Sequence, residues 1–249
     1  MKRSLYLSAL LFVVIFTAAK TVKKVAGTGN VLLRFENLVD GKPLILNTGH
    51  YKNAHGDDFT VSALKYYISN ISMVQQLGKK VMIPESYYLL DQGKPSSLEL
   101  DLKNIPPGDY KGISFIIGVD SLRNLKGEQK GALDPAHKMY WSWKTGYIFL
   151  KLTGSSSKSP DGKIHFDVGG IKRETNTIRR QELTLPQTLH VSGNKTARIM
   201  VKADAAQLFK GKETIDFSTI YKCMGGPKAV KVADNYANGM FKIEKIQNP

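Results

Sequence analysis

The chain has 249 residues, one cysteine, and 36 lysines and arginines against 21 acidic residues, which gives a formal net charge of +15. One cysteine excludes an internal disulfide framework, so stability must come from burial of apolar side chains. The basic residues are scattered and no segment interleaves arginine with aromatic residues, which argues against a nucleic-acid-binding protein. We interpret the charge as a solvated basic surface that favours acidic partners.

The N-terminal residues have the pattern of a secretory signal peptide. Lys2 and Arg3 precede an apolar run over residues 5–16, which is followed by the small residues Ala18 and Ala19. The run is too short to cross a bilayer and no second run follows it. We therefore predict cleavage after Ala19, export to the periplasm or cell surface, no membrane span, and a single domain over residues 20–249.

Short β-rich segments separated by Gly, Pro, Asn and Asp turn signals follow in chain order. The predicted strands are residues 31–35, 44–46, 59–74, 87–90, 98–102, 112–119, 146–152, 164–168, 178–185, 188–191, 197–202 and 241–246. Helical spacing is limited to residues 204–210 and 229–237. This pattern predicts an all-β fold, either an antiparallel sandwich or a partly closed barrel, with one or two short helices.

Both tryptophans of the chain, Trp141 and Trp143, lie in one aromatic segment between residues 140 and 147. In an extended segment, side chains two residues apart point to the same face, about 7 Å apart. The pair has two interpretations. It is either part of an aromatic core or a site in which an indole is itself chemically used.

Histidines near acidic or aromatic residues are the candidate metal ligands. His165 and Asp167 are two residues apart on a predicted strand, so a nitrogen and an oxygen ligand could meet one ion. His50 and His55 share a polar loop with further aspartates, and His137 precedes Trp141 by four residues, where it could cap the site. For each histidine, a solvated or hydrogen-bonded side chain is the alternative.

Three further polar residues, Asp120, Asn124 and Asp134, bracket a glycine-containing loop. Such residues could hold a hard cation such as calcium, or they could fix the loop through Asx turns. The chain has no nucleophile elbow, phosphate loop, dinucleotide fingerprint or HExxH motif. We therefore expect a protein that is not an enzyme.

Several segments resemble a known family. GVDSLRN, GALDPAHKMYWSWKTGYIFLKLTG and HFDVGG, with LKYYISNI upstream and PKAVKVADNYANGMF downstream, resemble the MbnP-like domain proteins, which are named for the methanobactin-associated copper-binding protein. The resemblance extends over residues 31–246. It implies an exported β-sandwich, Greek-key or jelly-roll-like, that is associated with copper and with a dihaem enzyme of the MauG or cytochrome c peroxidase kind.

In relatives a tryptophan is oxidised to kynurenine, which contributes with histidines to a copper site, so the resemblance implies Trp141 or Trp143 as the modified residue. Relatives often have histidine where this chain has Asp167, directly before Val168-Gly169-Gly170. Carboxylate is a poor ligand for Cu(I) but can serve Cu(II). The expected function is copper handling, with tryptophan as the substrate of the partner enzyme; the alternative is a metal-free structural or ligand-binding surface module.

Overall fold

The computed structural model describes residues 27–141 and 146–249. The predicted signal peptide over residues 1–19 and one of the two tryptophans, Trp143, lie outside the described residues. No helix in the described ranges has the length and apolar character that a membrane crossing requires.

Strands account for most of the ordered elements, as the turn-rich sequence predicts. They are β1 (Gly29–Val39), β2 (Lys42–Pro43), β3 (Tyr51–Lys52), β4 (Asp58–Gln75), β5 (Lys80–Met82), β6 (Tyr87–Asp91), β7 (Glu99–Ile105), β8 (Gly108–Ile117), β9 (Tyr140–Trp141), β10 (Gly146–Tyr147), β11 (Leu150–Ser155), β12 (Lys163–Val168), β13 (Arg179–Val191), β14 (Thr196–Asp204), β15 (Lys222–Met224) and β16 (Phe241–Gln247). Two α-helices are present in these residues, α1 (Ser121–Asn124) and α2 (Gly226–Ala237).

These strands form two main sheets. The small sheet has the order β16-β14-β1-β2, with β7 also paired to β1, and the large sheet has the order β13-β8-β4-β11-β12-β15, with β3, β5 and β6 paired to β4. Strands β9 and β10 form a separate hairpin. The prediction of an all-β sandwich with short helices is confirmed. Two pairs, β1 with β14 and β12 with β15, are parallel. Parallel pairing requires a long connection, and each pair joins segments that are far apart in the sequence.

The core lies between the two sheets, where alternate residues of each strand are buried. Phe35 of β1 is at its centre and makes edge contacts with Tyr66 of β4, Phe115 of β8 and Phe241 of β16, at ring-centroid distances of 6.4, 6.2 and 6.1 Å. Helix α2 adds apolar residues at helical spacing to the same core. Rings from both sheets thus hold the layers together.

A second apolar cluster covers the opposite face of the large sheet. Tyr66 belongs to the main core whereas its neighbour Tyr67 belongs to this second cluster, because adjacent strand residues point to opposite faces. The segment between β8 and β11 supplies most of the cluster, including Trp141, Tyr147 and Phe149. This segment therefore lies over the large sheet, and the side chain of its Trp141 is buried.

Some predicted elements differ from the structure for local reasons. Residues 44–46 form no strand, since the Tyr51 hydroxyl accepts a hydrogen bond from the Ile45 amide and donates to the Pro43 carbonyl. The predicted strand over 146–152 is divided between β10 and β11, and the predicted helix over 204–210 is a 3-10 turn, Ala205–Leu208. The predicted strands 178–185 and 188–191 are one strand, β13, whose register shifts around Pro186, which has no amide proton.

Candidate metal centre

His165 and Asp167 lie side by side on β12. Ile164, Phe166 and Val168 of this strand are buried in the core, so His165 and Asp167 point to the opposite face of the sheet. The side chain of Asp167 is 5 % exposed and that of His165 is 43 % exposed. The sequence-based prediction that the two share a face agrees with this arrangement.

The facing atoms of this pair have an unusual environment. Nε2 of His165 is 3.1 Å from Oδ1 of Asp167. Both atoms are buried, and neither has a partner in hydrogen-bond geometry among the described residues. They lie within ion-pair distance of each other, but they leave room for a further group to complete their hydrogen bonding or coordination.

The distance between these atoms fits a shared metal ion. Two ligands held at about 2.0–2.2 Å from one ion, with an angle of about 90–110° between them, are about 3 Å apart. The observed 3.1 Å therefore allows Nε2 of His165 and Oδ1 of Asp167 to bind one ion together. A set of one imidazole and one carboxylate suits Cu(II) or Zn(II) better than Cu(I).

Residues on the neighbouring strands set the charge around the pair. Lys151 of β11 is opposite Asp167, and its Nζ atom is 3.5 Å from Oδ1 of the carboxylate. Met224 of β15 is also in register with Asp167, on the other side. Lys151 offsets the charge of the carboxylate and would compete with a bound cation.

Trp141 is adjacent to this pair through the end of β12. Its side chain is buried, and a Cβ atom placed on Gly169 would lie 2.9 Å from Cζ3 of the indole and 2.6 Å from the Tyr147 carbonyl oxygen. Because these distances are too short for a side chain, only glycine at this position allows the indole to pack directly on the backbone. Gly169 is two residues beyond Asp167. The indole thus packs on the backbone just beyond Asp167, whereas His165, four residues before Gly169, lines a different cavity with Thr153.

A cavity of about 680 Å³ opens beside the indole. Its walls come from α1, the β9–β10 hairpin, the end of β12 and the start of α2. They include Trp141, Leu125, Ile171, Lys172 and five glycines, Gly146, Gly169, Gly170, Gly225 and Gly226. The Gly225 amide donates to the Asp167 carbonyl, which connects this wall to β12. The volume is in the range of small-molecule sites.

The model of the MbnP family matches residues 28–225. The chain belongs to the MbnP family. The resemblance seen in the sequence is thereby confirmed, and a solved structure, MbnP from Methylosinus trichosporium, is similar in fold, with a TM-score of 0.55. The match covers 87 % of this chain and 98 % of that chain at 17 % sequence identity. A search of the curated proteins found no match.

The other candidate histidines of this MbnP-family chain lie in different surroundings. Nε2 of His137 is 2.9 Å from the Gly131 carbonyl, within the turn that precedes β9, and His50 is exposed. His55 is grouped with Asp57 and with Asp216 from a distant segment. Among the described residues, no third His, Cys, Asp or Glu forms such a group with His165 and Asp167.

The predicted loop-fixing residues bond to backbone amides around Trp141. Asp120 caps α1 by accepting from the amides of Leu122 and Arg123, and it also accepts from the Tyr87 hydroxyl. Asn124 accepts from the Tyr147 amide, and Asp134 caps the 3-10 turn Pro135–His137. These contacts hold the segment between β8 and β11 over the large sheet.

Sequence reasoning missed three residues of this site, Lys151, Gly169 and Met224. The alternation in residues 147–152 already indicated that Lys151 faces away from the core, and its pairing with Asp167 needed only the hairpin register. Met224 belongs to β15, a three-residue strand that is too short to show a periodic pattern, so the sequence does not predict its position beside Asp167. Gly169 gave no signal because its role depends on a ring from another segment.

Cys223 is expected to be unreactive in the folded MbnP protein. Burial, together with the negative charge of Asp167, raises the pKa of its thiol to about 12. Thiolate is the reactive form, so an aromatic disulfide reagent at about pH 8 should label the native chain slowly and the guanidinium-unfolded chain at once. Equal labelling rates in the two states would contradict the burial of this thiol.

Proposed function

We propose that this protein is an exported copper-handling protein that binds Cu(II) through His165 and Asp167 beside Trp141, and that it acts by binding rather than by catalysis. The observation that carries the proposal is the buried pair of facing donor atoms, 3.1 Å apart, without hydrogen-bond partners among the described residues. Membership of the MbnP family supports it. The carboxylate favours the divalent ion over Cu(I).

In the same proposal, a tryptophan is the substrate of a partner enzyme, a dihaem protein of the MauG or cytochrome c peroxidase kind. Trp141 is the described candidate, and its position against Gly169 at the edge of the cavity supports it. Trp143, outside the described residues, is the second candidate. Conversion to kynurenine would cleave the indole C2–C3 bond and add two oxygen atoms, supplied by dioxygen or peroxide through the partner's haem, to give N-formylkynurenine. Hydrolysis would then release the C2 carbon as formate.

Copper binding is tested by substitution at β12. We expect His165→Ala to lower the Cu(II) affinity of the signal-peptide-free protein by about tenfold or more, since loss of an outer-shell group alone costs that much. The affinity is measured by competition with a chromophoric chelator. Asp167→Asn should have a similar effect, because it removes the anionic oxygen donor.

His190→Ala is the matched control. His190 also pairs with an aspartate, since its Nδ1 atom is 2.6 Å from Oδ1 of Asp109, but that pair lies on the exposed edge between β13 and β8. Its loss should leave the Cu(II) affinity unchanged. Equal affinities for the parent protein and His165→Ala would contradict the assignment of this site.

The tryptophan part of the proposal is tested on protein from its native host. We expect stoichiometric copper, and a peptide containing residues 141 and 143 with the mass of a kynurenine derivative. Fragmentation of that peptide assigns the modified residue. Unmodified tryptophans together with no copper would remove the support for copper handling.

One observation favours a second candidate function, a metal-free ligand-binding surface module. The cavity beside Trp141 has the size of a small-molecule site, and its walls combine apolar side chains with Lys172. In that case, protein from the native host would carry no copper, and a small ligand would quench the emission of Trp141. The same mass and metal measurements therefore separate the two functions.

A further inference from the structure

Two loops that are distant in sequence bring three potential metal ligands together. His55 and Asp57 lie between β3 and β4, and Asp216 lies between the 3-10 turn Ala205–Leu208 and β15. One donor atom from each residue is within 4.8 Å of the others. Nδ1 of His55 is 3.2 Å from Oδ1 of Asp57 and 3.9 Å from Oδ1 of Asp216.

Hydrogen-bond donors orient both carboxylates. Oδ2 of Asp57 accepts from the Asn53 side-chain amide at 3.1 Å and from the Phe217 amide at 3.0 Å, which leaves Oδ1 directed at His55. Asp216 accepts from both the amide and the hydroxyl of Ser218 at 2.7 Å. Such contacts orient carboxylates in metal sites.

The charge of this group is a separate observation that indicates a cation. Asp57 is only 3 % exposed. In the described ranges, no lysine or arginine lies within 4 Å of either carboxylate, and the ion-pair partner of both is the half-exposed imidazole of His55. One imidazole carries at most one positive charge, so it cannot balance the two carboxylates. Among the described residues, hydrogen bonds and this imidazole alone compensate the buried carboxylate of Asp57, although a chain with 36 basic residues offers many other ways to pair it.

Other aspartates of the chain show the contrast. Asp58 pairs with Lys52, Asp91 with Lys65, and Asp234 with Arg179. Asp57, which is more buried than any of these side chains, has no such partner among the described residues. The group of His55, Asp57 and Asp216 is therefore negative where the surrounding chain is basic.

We propose that His55, Asp57 and Asp216 form a second metal site, separate from the His165–Asp167 pair, for a divalent transition-metal ion of the zinc class. One imidazole nitrogen and two carboxylate oxygens are a ligand set that such ions accept, with water completing the shell. The ion fastens the loop before β4 to the loop before β15. These loops lie over the rings of Phe59 and Phe217, which pack edge to face at 5.7 Å.

Zinc alone is the probe, and chelator-treated His165→Ala protein is the starting material, so that the other pair contributes nothing. Calorimetric titration should show one equivalent of Zn(II) bound, and zinc should raise the melting temperature. Adding Asp216→Asn should lower the affinity by about 100-fold, because a direct ligand is lost. This variant keeps the hydrogen bond between Asp57 and Phe217, so its fold is preserved.

His55→Ala in the same background should have the same effect as Asp216→Asn. Asp109→Asn is the matched control, since it removes the carboxylate of an exposed His–Asp pair that has no second acidic residue. It should leave zinc binding unchanged. Absence of zinc binding in His165→Ala protein, or binding that persists in both Asp216→Asn and His55→Ala, would overturn the second site while leaving the copper proposal intact.

Discussion

Replacing Phe35 with alanine is expected to lower the free energy of unfolding by about 3–5 kcal/mol, the range found for loss of a buried aromatic ring. The ring is in edge contact with three others, from Tyr66, Phe115 and Phe241. These rings belong to both sheets, so the space left by Phe35 cannot collapse without moving a sheet. Guanidinium unfolding followed by circular dichroism measures the change.

Leu122→Ala is the control for this result, because that side chain is 79 % exposed on α1. Its effect should be within about 0.5 kcal/mol. The dependence of the unfolding free energy on guanidinium should be the same for both variants, since the surface exposed on unfolding hardly changes. A loss below about 1 kcal/mol for Phe35→Ala would mean that the two layers are not held together at this ring.

Gly169→Ala is expected to destabilise the protein by about 1–3 kcal/mol and to displace the indole of Trp141. The added Cβ atom would lie 2.6 Å from the Tyr147 carbonyl oxygen and 2.9 Å from the indole, which is closer than such atoms approach. The Tyr147 carbonyl is a backbone group and cannot move as easily as a flexible side chain. The indole ring or the end of β12 must therefore shift. In a Trp143→Phe background, Trp141 is the single tryptophan and its emission should move to longer wavelength.

Gly27→Ala is the matched substitution, because a Cβ atom there has its nearest neighbour at 3.9 Å. Its emission and stability should equal those of the parent. If the spectrum and the stability of Gly169→Ala are also unchanged, the direct packing of Trp141 on β12 is wrong. If the spectrum shifts, the Cu(II) affinity of the same variant shows whether the indole supports the His165–Asp167 pair.

The sequence predicts local geometry well where a strand is long enough to show its period. The pairing of His165 with Asp167 follows from the alternation in β12, and the two sheets follow from the number of short strands and turns. The indole of Trp141 is buried in an aromatic cluster, which agrees with the first of its two interpretations, and it also lines the cavity beyond the end of β12. These features need only neighbours within one segment.

Features that depend on distant segments could not be predicted. Asp216 lies 161 residues after His55 and 159 after Asp57, and no periodic pattern marks its loop. The parallel pairing of β1 with β14 is equally non-local. Sequence reasoning placed His55 in a polar loop with two aspartates, but it could not show which of them faces the imidazole, or that a third carboxylate arrives from elsewhere.

The order of strands in the small sheet has a consequence for how the chain folds. Its first strand, β1, has β14 as parallel neighbour, and β16 completes the edge beyond β14. The last residues of the chain are therefore needed before this layer is whole, and contacts of such long sequence separation form slowly. If the chain is exported as proposed, slow closure of this layer would give the polypeptide time to cross a membrane before it becomes compact.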